Sequence, residues 1–208
     1  MKFSVIMPSR LIPYPGSAQN REGKLLRAIN SVIKQTFEDW ELHVVADGCA
    51  RTVELVQNNV KDTRIHVWKI EHRKLWSGLP RNTGIEAAKG EWIIYLDIDD
   101  IYGERHLEII NSGLLTYDWV WYNDIRYYPR QDAWIENDCD IHTLGRHGTS
   151  NITHKKSLGV LWDVDGKYAH DYNFCKKLLQ FKNGGRIATP EYYVAHVPGG
   201  YTSGGYDK

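Results

Sequence analysis

The sequence predicts an α/β domain in which a mainly parallel central sheet is flanked by helices. Short apolar segments alternate with segments whose apolar residues recur at helical spacing, and this alternation is typical of βαβ units. A chain of 208 residues is also long enough for one substantial core. Because no internal repeat or break in composition is visible, we expect one domain over residues 1–208, with a flexible tail at about 199–208.

The first elements follow from the apolar pattern and from the residues that interrupt it. Residues 2–7 form a short apolar run that predicts a strand, which Pro8 ends. Residues 9–23 are rich in proline and glycine, so a loop is expected there. Apolar side chains then recur at helical spacing over 25–33, which predicts a helix with one buried face.

Two strands and the helix between them are predicted next. The apolar run 40–46 predicts a strand that ends at Asp47 and Gly48. Thr52 is expected to cap a helix that continues to residue 60, since its side-chain oxygen can accept a bond from a backbone N–H of the first turn. Residues 65–70 predict the next strand.

A helix and a buried strand are predicted in the middle of the chain. Pro80 is expected to open a helix, because proline suits the first helical position, and Gly90 is expected to follow its end. Aromatic and β-branched residues at 92–96 then predict a strand that is buried on both faces, as parallel strands covered by helices are.

The remainder of the chain has a weaker pattern. Helices are predicted over 107–115 and 171–181, where apolar residues again recur at helical spacing. Residues 119–128 alternate enough to predict one strand, whose pairing direction is open. We expect residues 131–149 to be irregular.

Three acidic residues directly follow the strand at 92–96. Asp97, Asp99 and Asp100 would lie at the carboxyl end of a parallel sheet, where open α/β sheets bind their ligands. Carboxylates this close repel one another unless a cation lies among them. Mg²⁺-like ions usually take one or two carboxylates together with substrate phosphates. The segment therefore predicts a metal–diphosphate site, and a solvated acidic turn is the alternative.

Charge and cysteine content limit the classes of function. Lys plus Arg equals Asp plus Glu, 26 each, which argues against a general nucleic-acid surface or a polybasic membrane anchor. Three widely spaced cysteines form no Cys-x-x-Cys pair, so we expect neither a zinc site nor disulfides. Free cysteines are typical of a reducing compartment, so we expect a cytoplasmic protein. No targeting sequence or apolar run long enough to span a membrane is apparent, so we expect a soluble protein.

Taken together in this order, the segments resemble a small family 2 glycosyltransferase with the GT-A fold, over about residues 3–196. The segments that carry the resemblance are 4–8 (SVIMP), 26–37 (LRAINSVIKQTF), 40–48 (WELHVVADG), 80–84 (PRNTG) and 96–100 (LDIDD). The resemblance implies a Rossmann-like nucleotide-diphospho-sugar transferase fold with a small antiparallel part near the acceptor. It also implies a non-processive transfer of a sugar from a nucleoside-diphosphate sugar to a glycan or other hydroxyl acceptor. A UDP-sugar is the expected donor, and Mn²⁺ or Mg²⁺ is the expected metal cofactor.

The resemblance also assigns roles on the donor side. Asp47 would bind the nucleobase, Arg81 would approach the nucleotide, Asp97 would face the ribose and the metal, and Asp99 would bind the metal. His196 would be a late metal ligand. Pro8, Ser9, Arg10 and Ile98 would complete the donor site. The family usually has two acids where this chain has Ala46 and Asp47, which leaves the identity of the base open.

On the acceptor side, the resemblance implies that Asp171 is the base of an inverting reaction. Relatives have a Glu-Asp pair at this position, whereas this chain has His170 and Asp171. The segment 148–151 resembles a glycine loop that flanks the acceptor pocket. Three aromatic residues are candidates for stacking against a sugar, with core packing as the alternative for each: Trp76, Trp162 and Tyr168.

Simpler structural interpretations and two other functions remain open. Asp47 could be a turn residue, Arg81 a surface ion-pair partner, Asp171 a helix cap and His196 a strand residue. A sugar-phosphate nucleotidylyltransferase would need several glycines just before Arg10, which the sequence lacks. A degenerate transferase that only binds nucleotide sugar or glycan is the other alternative, favoured by Ala46 and His170.

Overall fold

The computed structural model describes residues 1–73, 76–165 and 169–195. The helices of these ranges are α1 (Arg21–Ile33), α2 (Ala50–Asn59), α3 (Gly78–Ala87), α4 (His106–Gly113) and α5 (His170–Leu178). The strands are β1 (Phe3–Ser9), β2 (Trp40–Asp47), β3 (Ile65–Ile70), β4 (Trp92–Tyr95), β5 (Ile101–Tyr102), β6 (Trp119–Trp121), β7 (Asp124–Tyr128), β8 (Ala133–Asn137), β9 (Ile152–Lys155), β10 (Gly184–Arg186) and β11 (Tyr192–Val194).

Within these ranges the strands form a large sheet and a small one. The large sheet has the order β10-β6-β9-β4-β1-β2-β3, and its pairs are parallel except those that β9 makes with β4 and β6. The small sheet has the order β5-β11-β7-β8. The predicted α/β fold with a mainly parallel central sheet is confirmed, and antiparallel pairs occur in both sheets.

The large sheet is covered by helices on both faces. Successive residues of β1 point to opposite faces, so Val5 packs in a cluster with residues of α1 and α2, such as Leu25, whereas Ile6 packs with Ile85 of α3 and Leu178 of α5. Burial of each large apolar side chain contributes about 1.5–3 kcal/mol. Since both faces are covered, the edges of the sheet are where polar groups can gather.

Strand register brings three strand ends to the same edge of the large sheet. Ser9 at the end of β1 pairs with Ala46 near the end of β2. On the other side of β1, Ile6 pairs with Tyr95, and the N–H of Leu96 donates to the carbonyl of Ile6 over 3.1 Å. The residues that follow β1, β2 and β4 therefore lie side by side.

Two predicted helix starts are wrong. α3 begins at Gly78, so Pro80 is its third residue; the first turn has no internal acceptor for its N–H groups, so a proline is tolerated there. α2 follows Cys49 without a side-chain cap. Thr52 lies inside α2, and its hydroxyl is 3.0 Å from the Ser9 hydroxyl, so it links the helix to the end of β1.

The predictions for the strands after residue 118 need correction. Residues 119–128 form two strands, β6 and β7, in different sheets, with the buried Asn123 between them. The segment 131–149, predicted to be irregular, contains β8. The prediction of a flexible tail at 199–208 lies outside the described residues.

In the described ranges, no helix combines the length and the apolar character that crossing a membrane requires. Cys49, Cys139 and Cys175 are buried and form no disulfide, as the sequence predicted. The single domain and the cytoplasmic location stay predictions.

Candidate active site

A cavity of about 850 Å³ opens at the carboxyl edge of the large sheet. Its wall gathers nearly all the site residues predicted from the sequence: Pro8, Ser9, Arg10, Asp47, Arg81, Asp97, Ile98, Asp99 and Asp171. His196, the predicted late metal ligand, lies outside the described residues, so its role stays a prediction.

Asp47 occupies the last position of β2, where it is largely buried. Its Oδ2 is 3.1 Å from Nδ1 of His72. Gly48 makes this contact possible: its φ is +61°, and a Cβ there would lie 2.3 Å from the Cβ of His72. Asp47 is therefore held with one oxygen against His72, rather than serving only as a turn residue.

Arg81 lies in α3 with 3% of its surface exposed, so it is not the surface residue that the alternative interpretation assumed. One of its terminal nitrogens is 3.1 Å from Oδ1 of Asp97, and another bonds to the hydroxyl of Ser77. Its guanidinium carbon lies 4.7 Å from the ring centroid of Trp162. These contacts hold a positive charge in the wall of the cavity, beside the acidic segment.

Asp97 is part-exposed, with 38% of its side chain accessible. Loss of hydration raises the pKa of Asp97, the Arg81 guanidinium opposes that effect, and the charges of Asp99 and Asp171 raise the pKa further. The three carboxylates are thus close enough to repel one another. A cation placed among them would relieve this repulsion.

Asp100 has a different environment from the two acids before it. It is buried and accepts hydrogen bonds from the hydroxyl of Tyr192 and the N–H of Ala195, both over 2.9 Å. Burial, with the nearby charges of Asp99 and Asp97, raises its pKa well above the usual range. Its contacts fasten the acidic segment to the end of β11.

The donor set fits a hard divalent cation. In the described part of the chain, no group of three or more His, Cys, Asp and Glu side chains is arranged as a ready metal site. Mg²⁺-like ions need one or two carboxylates, with the remaining ligands supplied by substrate phosphates and water. Asp97 and Asp99 provide that number on one wall of the cavity.

Asp171 lies in the first turn of α5, with 28% of its side chain exposed. The Thr149 hydroxyl donates to its Oδ1 over 2.7 Å, and Nδ1 of His170 is 3.0 Å from the same oxygen. The N-cap of α5 is Ala169, so Asp171 is not the cap. No described residue donates to Oδ2, which leaves that oxygen available to a bound molecule.

His170 connects Asp171 to two tryptophans that differ in exposure. The His170 ring is 5.3 Å from the Trp76 ring and 5.9 Å from the Trp162 ring, nearly perpendicular to both. Burial lowers the pKa of His170, which favours the neutral imidazole. Trp162 is 3% exposed, whereas Trp76 is 50% exposed and lines the cavity. Tyr168 lies outside the described residues.

Sequence reasoning missed several residues of the cavity wall. His72 and Arg126 both line the cavity, and Arg126 pairs with the buried Asp124 over 3.0 Å. Tyr192 supports the acidic segment from β11, on the other sheet. Each belongs to an ordinary strand or loop segment, so the sequence carried no signal for it.

Comparison with known proteins gives a family match. The family model described as Glycosyl transferase family 2 matches residues 17–155. The chain is 35% identical over 112 residues to UDP-Glc:alpha-D-GlcNAc-diphosphoundecaprenol beta-1,3-glucosyltransferase WfgD of Escherichia coli, a match over 54% of this chain and 40% of that protein. It is 31% identical over 111 residues to poly(ribitol-phosphate) beta-N-acetylglucosaminyltransferase TarS of Staphylococcus aureus, over 52% of this chain and 18% of that protein.

Solved structures resemble the whole described fold. A crystal structure of S. aureus TarS 1–349 with UDP-GlcNAc has a TM-score of 0.77 at 22% identity, covering 99% of this chain and 62% of that one. The mannosyltransferase PcManGT from Pyrobaculum calidifontis, in complex with GDP-Man and Mn²⁺, has a TM-score of 0.70 at 16% identity, covering 96% of this chain and 58% of that one. Matches at such identities concern the fold alone.

Proposed function

Because the chain belongs to glycosyl transferase family 2 and has the GT-A fold, we propose that it transfers a sugar from a nucleoside-diphosphate sugar to an acceptor hydroxyl. One observation carries the proposal: Asp47, Arg81, Asp97, Asp99 and Asp171 line the same cavity. The names of relatives that use UDP-Glc or bind UDP-GlcNAc support a UDP-sugar as the donor.

On the donor side, Asp47 accepts the N–H of the nucleobase, as an ionised carboxylate can accept the imide N–H of uracil. His72 holds the other carboxylate oxygen, so the accepting oxygen has a defined direction. Arg81 places positive charge near the diphosphate. Pro8, Ser9, Arg10 and Ile98 complete the wall around the nucleotide.

Asp97 and Asp99 hold a Mn²⁺ or Mg²⁺ ion in this proposal, with His196 as a further ligand. The bound ion supplies positive charge that stabilises the departing diphosphate. The charges of Asp99 and Asp171 support this assignment, because they add to the effect of burial in raising the pKa of Asp97, although Arg81 opposes it.

Asp171 acts as the base. Its Oδ2 takes the proton of the acceptor hydroxyl while the hydroxyl oxygen bonds to the anomeric carbon and the bond from that carbon to the diphosphate breaks. Attack on the face opposite the diphosphate gives inversion. Thr149 and His170 support this role, since both contact Oδ1 and leave Oδ2 without a donor among the described residues.

The acceptor class is a glycan or another hydroxyl compound. The two relatives are named for different acceptors, a diphosphoundecaprenol-linked sugar and poly(ribitol-phosphate). Since the chain spans less than half the length of either relative, we assign neither of these acceptors to it.

The buried free thiols support the cytoplasmic location predicted from the sequence.

The substitution Asp171→Asn tests the assigned base. The amide keeps the size of the side chain but cannot take a proton, so transfer should fall by about 10²–10⁴-fold. UDP affinity should stay within about twofold, because Asp171 does not hold the nucleotide. Suitable measurements are UDP titration with Mn²⁺ and turnover of a panel of UDP- and GDP-sugars with and without acceptor.

A matched control is Asp163→Asn, which changes a part-exposed aspartate that pairs with Lys177 and does not line the cavity. This variant should keep full turnover. Normal turnover by Asp171→Asn would refute the assigned base. If the wild type binds UDP but neither hydrolyses nor transfers any sugar, the chain is a degenerate binding module instead.

A further inference from the structure

Trp76 is an exposed aromatic residue of the cavity wall, and its ring contacts His170, the neighbour of the assigned base. We propose that its ring is a binding platform for a cyclic sugar of the acceptor, so that the acceptor hydroxyl belongs to a ring rather than to an open-chain polyol. The inference rests on the proposed function and adds the class of acceptor.

The two described tryptophans of this region have different surroundings. Trp162 is 3% exposed; Phe174 stacks on it at 4.0 Å with an interplanar angle of 3°, and the Arg81 guanidinium lies 4.7 Å from its ring. A ring packed in this way has no room for a ligand. Trp76 is 50% exposed and lines the cavity, although burial of a tryptophan is strongly favourable.

The position of Trp76 is linked to the assigned base by direct contacts. Its ring centroid lies 5.3 Å from that of His170 with an interplanar angle of 72°, and His170 Nδ1 is 3.0 Å from Asp171 Oδ1. The His170 side chain therefore bridges the Trp76 ring and the carboxylate that takes the proton, so a molecule on that ring lies close to the carboxylate. This placement favours the acceptor over the nucleotide, which the residues around Asp47 would bind.

The chemistry of the platform selects rings. One face of a pyranose presents several C–H groups in a rigid, nearly flat arrangement that packs on an aromatic face by dispersion and burial of apolar area. An open-chain polyol has the same hydroxyls, but it must lose several rotamers to present such a face. The cavity wall also includes three polar residues, Thr149, Ser150 and His170.

The inference is tested by ligand binding and by transfer on the same variants. Saturation-transfer NMR, with UDP and Mn²⁺ present and absent, would compare methyl glycosides of glucose, galactose, mannose and N-acetylglucosamine with ribitol and glucitol. We expect at least one glycoside to bind the wild type and both alditols to bind at least about tenfold more weakly. Trp76→Ala should weaken the glycoside about tenfold, and Trp76→Phe by about threefold or less.

Trp68→Ala is the matched control, because Trp68 is 40% exposed and lies on β3 outside the cavity. It should bind glycosides like the wild type. The KM of the donor should be unchanged in both alanine variants, and far-ultraviolet circular dichroism would establish that they are folded.

Three results would overturn the platform: equal binding of alditols and glycosides, no glycoside bound by the wild type, or Trp76→Ala within about twofold of the wild type. A rise in the donor KM alone would also contradict it. UDP titration separates this failure from that of the proposed function, since a protein that binds no UDP with Mn²⁺ would refute the function whatever its glycoside binding.

Discussion

His170 and Thr149 contact the same oxygen of Asp171, and this shared contact fixes the direction of the carboxylate. The hydroxyl of Thr149 donates over 2.7 Å, and Nδ1 of His170 is 3.0 Å away. An ionised carboxylate only accepts hydrogen bonds, so His170 must carry its proton on Nδ1 when the pair is bonded. We therefore propose that His170 is a positioning residue for the assigned base.

We predict that His170→Ala lowers kcat about 10-fold to 100-fold with little change in the KM of the donor, because a wrongly directed base costs the chemical step alone. His170→Asn should recover most of the rate, since its Nδ2 can donate from nearly the position of Nδ1. Steady-state kinetics at fixed pH would measure both. A rate for His170→Asn as low as that of His170→Ala would contradict the positioning role.

The assigned metal site makes a second prediction for single residues. Asp99→Ala should abolish the part of UDP affinity that depends on Mn²⁺, because the ion loses a carboxylate ligand. Calorimetric titration of UDP with Mn²⁺ and with a chelator measures that difference. Asp39→Ala is the control, because it removes a carboxylate from the segment just before β2, at the opposite edge of the sheet. This variant should leave the Mn²⁺-dependent part of the UDP affinity unchanged. Identical titrations for wild type and Asp99→Ala would disprove the site.

At this scale the sequence predicted residues that follow strands, because parallel strand ends converge at one edge whatever the details of packing. Asp47, Asp97 and Asp99 were placed at this edge on this basis, together with the resemblance, and all three line the cavity. His72 and Tyr192 were not, because their contacts join segments whose spatial relation depends on tertiary packing. The contact of His72 with Asp47, for instance, needs the close approach that Gly48 permits.

At the scale of elements, the link between α3 and β4 determines where the acidic segment lies. Glu41 of β2 is fully buried and accepts hydrogen bonds from the Ser4 hydroxyl over 2.6 Å, the Gly90 N–H over 3.2 Å and the Lys89 N–H. A Cβ on Gly90 would lie 2.7 Å from the backbone nitrogen of Ser4. One carboxylate thus joins β1, β2 and the start of β4.

We predict that Glu41→Gln lowers the free energy of unfolding at pH 7 by about 2–4 kcal/mol. All three bonds end on Oε1, and a neutral amide oxygen accepts them more weakly than a carboxylate oxygen does. The amide would also put N–H groups at the buried position of Oε2, which has no hydrogen-bond partner among the described residues. Urea unfolding would measure the loss. Glu54→Gln, at an exposed position of α2, should change it by less than about 0.5 kcal/mol. Equal stabilities for the two variants would show that this link is not important.

The elements that the sequence missed have a common physical cause. β9 reads as an ordinary polar-apolar segment, ITHK, yet it lies between β4 and β6 and runs antiparallel to both. The chain changes sheets at Asn123, whose side chain accepts the N–H of Cys139 over 3.0 Å. Such changes depend on partners distant in sequence, so local periodicity predicted one strand in place of β6 and β7.

At the scale of the whole molecule, buried histidines make stability depend on pH. Burial lowers the pKa of His106 to about 3 and that of His154 to about 4. The unfolded chain binds these protons at a pH near 6.5 and the folded chain does not, so stability falls as pH decreases from about 7 to 4. Glu41 adds to this below about pH 4.5: burial would raise its pKa, but hydrogen bonds from Ser4 and Lys89 lower it to about 2.

We predict that His106→Phe raises the free energy of unfolding at pH 7 by about 1 kcal/mol and reduces its decline between pH 6.5 and 4. Within the described residues neither ring nitrogen of His106 has a hydrogen-bond partner, and its ring stacks on Tyr102 at 3.8 Å. Urea unfolding at several pH values measures both effects. His142→Phe, which changes an exposed histidine, should leave the decline of the free energy of unfolding with falling pH unaltered. If His106→Phe declined as steeply as the wild type, His106 would not be a source of this pH dependence.

The residues assigned to the nucleotide come from the first hundred positions, whereas Thr149, His170 and Asp171 come from beyond residue 148. The family model ends at residue 155, before the assigned base. If these assignments hold, the two halves can evolve separately. Mutations late in the gene would then change the acceptor while the sugar donor stays the same. A chimaera that joins the early half of this chain to the late half of a relative would be expected to keep the nucleotide preference of the former.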